Sequence, residues 1–589
     1  MIKLRPSFIL HCLVFLIPVN IYAFGVPEKL RYPIGDWAVA GIQWALFQYQ
    51  ETVNGSSIIS VSNLIRFIFE GDITGIHAVP LMVGILAAIL LVCSFIVNIA
   101  SLAKGSHPYF RISSVMIIIC GLLFAISDIL QYGPFFHGPD GFCIPVGIPV
   151  IMFIGWWTYH HEDTIERLPK EKPTEKPEHS RERVINEISL LICILIFVKI
   201  IVLSLSLYHI AVTNNVELSI YHSYASEALS GHIPYVDYHI EYPQLFLVPA
   251  LIAAIPTLLV PGHPVFVGSY VILMCLVDIA VLVCVYFIAA RLFGNNKAFF
   301  CGLLYATAFF SAFAGSFSFD IVPTFFLVFS LLLFIYGREI PAYISAACGF
   351  LTKWFPAVCF PFFIVHTIKN HNDTAPMKKG LAVSCLLVFL AVIPFILLNI
   401  QGFLFTYQSQ MGRPGSEVHS LIYYLDVIAK SVTGFQPFWE LSVILLCIIE
   451  GFLLYWYYHH SSGKPVILCY AIFFSVFAFI LLNVALTPYF IVWIVPFLAL
   501  FLMKSYWQVL LFYLIQLIMF LESPVLQGIV YASGKPYEII ENGLPGIQFI
   551  FYSVKFLLFF ILLWVIIANM KRPDGSSRKK RRSRSSQGQ

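Results

Sequence analysis

Residues 77–102 read HAVPLMVGILAAILLVCSFIVNIASL, an apolar run without a charged side chain. A helix needs about 20 apolar residues to cross the roughly 30 Å of hydrocarbon in a bilayer. Similar runs, rich in Leu, Ile, Phe and Val, recur along the whole chain with little alternation of polar and apolar residues. Because a membrane β-barrel would need that alternation, the pattern predicts an all-α polytopic integral membrane protein.

The composition agrees with a surface that faces lipid. Of the 589 residues, 59% are hydrophobic and 11% are charged, whereas about 25% of the residues of a soluble domain are charged. The net charge is +4, and the basic residues are most concentrated in the C-terminal tail, residues 571–589. We interpret this basic tail as disordered and cytoplasmic, in contact with anionic membrane lipid, and we predict no nucleic-acid binding.

A charged linker at residues 159–186 divides the chain into two predicted modules. It is punctuated by proline and holds six Lys or Arg, so the positive-inside rule places it in the cytoplasm. Before it lies an N-terminal module, residues 1–158, and after it a second module of about twelve spans, residues 187–570. About four spans are expected in the first module, near residues 8–25, 77–102, 111–131 and 145–158. The first of these resembles a signal peptide but is favoured as an uncleaved span.

The second module contains one long polar and aromatic passage, the predicted external loop 211–263. Residues 214–246 of this loop read NNVELSIYHSYASEALSGHIPYVDYHIEYPQLF. If residues 245–260 lie on the membrane surface, the C-terminal tail and the following basic residues all fall in the cytoplasm: Arg291, Lys297, Arg338, Lys369, Lys378, Lys379, Lys464 and Lys504. The same assignment of sides requires the short segments around Lys353 to form a hairpin whose tip lies near the external face.

Charged groups beside membrane spans are costly, so those on one face of the membrane are candidates for a common site. The chain places several on the predicted external face: Glu217, Asp237, His239, Glu241, Asp320, Lys353, Arg413, Glu417 and His419.

Six short segments around these residues carry a family resemblance. They are ELSIYHSYA (217–225), GHIPYVD (231–237), EYPQL (241–245), FD (319–320), TKWFP (352–356) and TPYFIVWIVP (487–496). In order and spacing they resemble the polytopic GT-C glycosyltransferases, and within them the polyprenyl-phosphate-mannose-dependent group around glycosyltransferase family 87. The chain departs from that group at Gln244, where a second Pro is usual, and at Tyr489, where Gln is usual.

The resemblance implies a GT-C-like helical bundle with external juxtamembrane helices, preceded by the four-span module. It also implies a hexosyltransferase that moves a sugar, mannose by preference, from a polyprenyl- or dolichyl-phosphate carrier to a lipid, glycan or protein acceptor outside the cytoplasm, with inversion. Glu217 falls on the catalytic Asp of the family and is one methylene longer. Asp237 or Glu241 could replace it as the base, or could cap the surface helices.

The remaining candidates follow from the chemistry of the donor. A departing phosphate favours cations beside it, so Arg413 and Lys353 are predicted donor phosphate ligands, although Arg413 could only order its turn and Lys353 could be an interface anchor. The predicted substrate-binding residues are Tyr221, Tyr224, Tyr235, His239, Tyr242 and Asp320. Alternatives are an interfacial aromatic belt for the tyrosines and simple pairing for Asp320.

No cofactor follows from the sequence. The acidic residues could ligate a divalent metal but show no diagnostic spacing, and the 13 cysteines contain no CxxC pair. A transporter or flippase of a lipid-linked or small solute is the main alternative function, and a non-catalytic GT-C-like subunit is another. Against a transporter, the polar residues concentrate on one side of the membrane instead of at its midplane. The expected location is the cell membrane, or the endoplasmic reticulum in a eukaryote.

Overall fold

The computed structural model of this chain places most of the sequence in helices and divides it into two units, residues 1–216 and 217–589. The structure describes residues 10, 14–15, 17–24, 39–52, 55–60, 78–104, 107–132, 137–138, 141–165, 177–213, 216–259, 262–411, 420–434, 438–461, 463–483, 486–526 and 546–571.

The first unit contains an antiparallel sheet of six strands in the order β4-β3-β2-β1-β6-β5. The strands are β1 (Asn20–Phe24), β2 (Val39–Gln43), β3 (Phe47–Thr52), β4 (Gly55–Ser60), β5 (His137–Gly138) and β6 (Gly141–Ile144). Among the described residues of this unit, four helices accompany the sheet: α1 (Ala78–Lys104), α2 (His107–Tyr132), α3 (Ile148–Ile165) and α4 (Pro177–Thr213). The side chain of Asn20 connects the two parts, since its Nδ2 donates to Asp128 Oδ1 of α2 at 2.7 Å.

The sheet corrects one expectation from the sequence. Residues 20–24 form β1 and not the end of a helical span over residues 8–25, because Ile21 pairs with Ile42 of β2 and with Ile144 of β6. The described part of the chain is nevertheless mostly helical, as the sequence predicted.

The boundary between the two units falls just beyond the end of helix α4, after residue 216. Helix α4 includes the second half of the predicted linker 159–186 and the span expected to open the second module, and both belong to the first unit. The Glu and Arg side chains of the linker suit a helix, and Arg183 Nε lies 2.7 Å from Glu187 Oε1 one turn later. Residues 166–176 lie outside the described part of the chain.

The second unit is helical throughout its described residues. Its helices are α5 (Val216–Leu229), α6 (Leu247–Ala254), α7 (His263–Phe293), α8 (Asn295–Ala306), α9 (Phe309–Phe317), α10 (Ile321–Ile335), α11 (Glu339–Thr352), α12 (Cys359–Asn370), α13 (Ala375–Leu398), α14 (Ile400–Met411), α15 (Leu421–Thr433), α16 (Phe438–His460), α17 (Pro465–Leu482), α18 (Val495–Phe501), α19 (Tyr506–Phe520) and α20 (Gly546–Lys571). Short 3₁₀ turns occupy Gln244–Phe246, Ile255–Leu258, Phe355–Val358 and Pro488–Trp493, and a π-turn occupies Leu521–Leu526.

The chain is a polytopic membrane protein. Among its described residues, nine helices are long and apolar enough to cross a bilayer, and a tenth span results if the bent pair α8 and α9 counts as one. This is fewer than the spans expected from the sequence, in part because residues 148–159 and 321–335 form shorter apolar helices. At about 1.5 Å of rise per residue, residues 244–258 are too short to cross the hydrocarbon, which fits the surface placement predicted for them.

Helices α11 and α12 form a hairpin with Lys353 at its tip. At its base, Glu339 of α11 accepts from Thr367 Oγ1 of α12 at 3.3 Å and lies 2.8 Å from His371 Nδ1. Gly349 permits the close approach near the tip, since a Cβ there would lie 2.8 Å from Pro356 Cβ and 2.9 Å from Phe326 Cβ. The predicted hairpin around Lys353 is therefore present.

Candidate active site

A cleft of about 140 Å³ in the second unit gathers four of the six charged candidates that lie in the described part of the chain. Its charged lining consists of Glu217, Glu241, Asp320 and Lys353. Its aromatic lining consists of Tyr221, Tyr242, Phe319, Trp354, Phe355, Phe479, Phe490 and Trp493. Ser318, Asn483, Thr487 and Pro243 complete it. Five separate segments of the chain thus supply one site.

Asp320 lies at the start of α10, and both of its carboxylate oxygens are occupied. Oδ1 accepts from Lys353 Nζ at 2.5 Å and from Trp493 Nε1 at 2.9 Å, and Oδ2 accepts from Ser318 Oγ at 2.6 Å. Only 4% of its side chain is exposed. The sequence predicted substrate binding by Asp320, with simple pairing as the alternative. In the structure its carboxylate is hydrogen-bonded to three side chains of the protein.

Lys353 presents the cation of the cleft. Its Nζ lies 4.8 Å from the ring centre of Phe319, 4.2 Å from that of Phe490 and 4.9 Å from that of Trp493. These aromatic faces attract a cation electrostatically. One fifth of the Lys353 side chain remains exposed and the residue lines the cleft, so protein contacts hold its ammonium at the border of the cavity.

Two further carboxylates, Glu217 and Glu241, border the cleft with half-buried side chains. Glu217 lies in the first turn of α5, and the hydroxyl of Tyr221 donates to its Oε2 at 3.4 Å. Burial, reinforced by the charge of Glu217, holds the pKa of Tyr221 well above its usual range. Tyr221 therefore stays a neutral donor beside the Glu217 carboxylate.

The backbone of residues 233–243, which carries Glu241, is held by helix α14. Asn399 Nδ2 donates to the Val236 carbonyl at 3.2 Å, and Thr406 Oγ1 donates to the Ile240 carbonyl at 2.7 Å. Between them, Gly402 leaves room for the carbonyl of Tyr235, which would lie 1.9 Å from a Cβ at that position. Tyr235 itself has φ of 63°, a conformation that costs energy for a side chain of this size. This segment is consequently held in one conformation by its neighbour.

The cleft does not include all of the predicted site residues. Asp237 is exposed, its Oδ2 accepts from the Ile233 backbone N–H at 2.6 Å, and it is not among the residues that line the cleft. His239 stacks on Phe405 with ring centres 4.4 Å apart. Neither contributes to the lining of the cleft.

Two predicted substrate-binding tyrosines are also absent from the lining. The ring of Tyr224 stacks on that of Tyr238, and its carbonyl accepts from the Tyr238 hydroxyl at 2.9 Å. Tyr235 is buried, and its hydroxyl donates to the Tyr242 carbonyl at 2.8 Å. Both tyrosines stabilise the loop instead of facing the cleft.

Arg413, the second predicted phosphate ligand, lies outside the described residues, as do Glu417 and His419. Sequence reasoning did not single out Trp493, Phe490 or Ser318, which orient Asp320 and Lys353. With 16% aromatic residues in the chain, Trp493 gave no signal apart from its place in the segment TPYFIVWIVP.

A histidine pair lies on the neighbouring face of α5. The Nδ1 atoms of His222 and His263 are 3.2 Å apart, and both rings stack on Phe266. Burial lowers the pKa of His222; burial and the charge of His222 lower the pKa of His263. The pair is therefore a contact between neutral imidazoles that connects α5, which bears Glu217, to the start of α7.

The residues of the cleft can supply a proton acceptor and a cation within one cavity. Glu217 and Glu241 are carboxylates able to accept a proton from a hydroxyl, and Lys353 can contact an anion. Within the described part of the chain, no three His, Cys, Asp or Glu side chains are grouped so that they could hold a metal ion. The arrangement is that of a site for acid–base chemistry beside an anionic group.

Comparisons with known proteins give one structural likeness. No family model and no curated protein matches the chain. The chain is similar to the crystal structure of ArnT from Cupriavidus metallidurans bound to undecaprenyl phosphate, with 13% sequence identity and a TM-score of 0.34 over 59% of this chain and 71% of that one. We therefore argue the function from the residues of the cleft.

Proposed function

We propose that this protein is a membrane glycosyltransferase. It moves a hexose, with mannose as the favoured sugar, from a polyprenyl- or dolichyl-phosphate carrier to a hydroxyl of a lipid, glycan or protein on the extracytoplasmic face. The observation that carries this proposal is the convergence of Glu217, Glu241 and Lys353 on one aromatic-lined cleft. The cytoplasmic C-terminus and the role of the GT-C-like segments belong to the same proposal.

In the proposed reaction, the acceptor oxygen attacks the anomeric carbon of the sugar from the face opposite the phosphate. The new bond forms between that carbon and the acceptor oxygen, and the bond from the carbon to the phosphate oxygen breaks. Glu217 takes the acceptor proton, with Glu241 as the second candidate, while the leaving polyprenyl phosphate keeps the electron pair. The configuration at the anomeric carbon is therefore inverted.

The charge that develops on the leaving phosphate is greatest in the transition state, where a fixed cation stabilises it most. Lys353 has the required position, since it borders the cleft and is held by Asp320 and three aromatic rings. We assign Arg413 to the same phosphate, because a guanidinium can contact it through two N–H groups.

The test uses the purified protein in lipid nanodiscs with polyprenyl-phosphate hexoses and follows sugar transfer to a lipid or glycan acceptor. Glu217→Gln and Lys353→Met should abolish most of the transfer. The matched control is Glu227→Gln, since Glu227 also lies on α5 but pairs with His232 at 2.7 Å outside the cleft. Transfer that survives both cleft substitutions contradicts the proposal, and a solute flux in proteoliposomes without sugar transfer establishes the transporter instead.

A further inference from the structure

We propose that Asp320 is a positioning residue that aims the Lys353 ammonium at the departing phosphate, and that Trp493 fixes Asp320 for this task. This inference rests on the proposed function and deepens it. It replaces the role of substrate ligand that the sequence predicted for Asp320.

The contacts of Asp320 leave it little capacity to bind substrate directly. An ionised carboxylate has about four acceptor positions, and Asp320 receives three donors from Lys353, Trp493 and Ser318. With 4% of its side chain exposed, it borders the cleft without opening into it. Any effect of Asp320 on the reaction must therefore pass through a neighbouring side chain.

Lys353 is the neighbour that needs orientation. Its stem has four rotatable bonds, and the aromatic rings that surround its ammonium attract it without fixing the direction of its N–H donors. The contact of 2.5 Å with Asp320 Oδ1 does fix one of the three donors. The other two donors can then point into the cleft that Lys353 lines.

Trp493 is held so that it can position Asp320. Its ring stacks between those of Phe355 and Phe490, with ring centres 4.1 Å away on both sides. This arrangement fixes the direction of the indole N–H, which donates to Asp320 at 2.9 Å. The positioning contacts thus run from Trp493 to Asp320 and from Asp320 to Lys353.

Charge and position predict opposite effects of Asp320→Asn, which makes the inference testable. The Asp320 carboxylate partly cancels the charge of Lys353, so if charge alone mattered, its removal would tighten binding of a phosphate. If Asp320 positions Lys353, the same substitution weakens that binding and lowers kcat. Asn is nearly isosteric with Asp, so the substitution changes the charge and the hydrogen bonds of this side chain but hardly its shape.

The experiment measures binding of farnesyl phosphate, a short prenyl phosphate, and the kcat and KM for the sugar donor, all in nanodiscs. For Asp320→Asn we expect weaker farnesyl phosphate binding and a kcat lower by about 10–100-fold, the loss typical of a residue that orients a reacting group. Trp493→Phe should show a smaller loss of the same kind. The double variant should be no worse than Asp320→Asn, because Trp493 acts through Asp320.

The matched control is again Glu227→Gln, which should bind and react like the wild type. If Asp320→Asn fails to fold, Ser318→Ala removes a single donor to the same carboxylate and should still weaken farnesyl phosphate binding. Tighter binding with unchanged kcat in these variants overturns the inference. If the wild type binds farnesyl phosphate but transfers no sugar, the proposed function fails while the order of binding affinities still decides the role of Asp320.

Discussion

Gly402→Ala gives a direct test of how the structure places Glu241. The added methyl would lie 1.9 Å from the Tyr235 carbonyl oxygen, whereas an ordinary contact is about 3.4 Å, so the backbone of residues 233–243 must retreat by about 1.5 Å. A misplacement of about 1 Å in an active site can cost about 100-fold in rate. We therefore expect kcat/KM for sugar transfer to fall by about 100-fold.

The assay combines initial rates of sugar transfer in nanodiscs with hydrogen exchange of residues 233–243, which should become faster. Gly451→Ala is the matched control, because Gly451 also lies inside a helix and a Cβ there would meet no atom within 4 Å. Alanine is favoured over glycine in a helix by up to about 1 kcal/mol, so this control should keep its activity and gain slightly in stability. Wild-type kcat/KM and unchanged exchange in Gly402→Ala would refute the reasoning.

Three further outcomes are expected. Glu217→Gln should lower kcat by about 10²–10⁴-fold with little change in the donor KM, since a base acts in the transition state; an equal rise in KM with constant kcat would assign Glu217 to binding. Because the pKa values of His222 and His263 are lowered, separated imidazoles take up protons more readily, so the contact between α5 and α7 is complete above about pH 6.5 and is lost as the pH falls. The protection of α5 amides from hydrogen exchange, relative to their intrinsic exchange rates at each pH, should therefore fall between about pH 7 and pH 5, and His222→Phe should remove this dependence. Lys555→Met should lower the free energy of unfolding by about 3–5 kcal/mol, because it removes the cation from a fully buried contact of 2.8 Å with Glu522. Unfolding in detergent measures this loss, and the added substitution Glu522→Gln should restore part of the stability. An unchanged free energy of unfolding in Lys555→Met would contradict the prediction.

The sequence was informative about the site because charged residues are scarce in this chain. In a chain with 11% charged residues, a charge next to a span has a high cost and needs a reason. Glu217, Glu241, Asp320 and Lys353 were selected on that basis, and the structure brings all four to one cleft. Tyr221 and Tyr242 were predicted near them and also line it.

The sequence could not separate Asp237 from Glu241, because both are carboxylates of the same loop. The turn at Ile233 decides between them, since its backbone N–H takes the Asp237 side chain. That turn depends on the contacts of residues 233–243 with α14, more than 150 residues later in the chain. Contacts between segments so distant leave no local pattern in a single sequence.

The sheet of the first unit escaped prediction for a related reason. A short apolar segment such as NIYAF (Asn20–Phe24) is compatible with a strand or with part of a helical span. Its pairing with β6, about 120 residues later in the chain, decides in favour of a strand. The long spans 78–104 and 107–132, by contrast, have the length and apolar character that only a membrane helix needs.

Glu339 and His371 join the two helices of the α11–α12 hairpin at its base, and Lys353 ties the tip to Asp320 at the start of α10. The tip therefore cannot slide along the hairpin axis without breaking the contact between Lys353 and Asp320. The ammonium must therefore follow a departing anion by rotation about its own side-chain bonds, over a few ångströms, while the backbone stays in place. The length of the Lys353 side chain therefore limits the distance over which the departing anion can stay in contact with the ammonium.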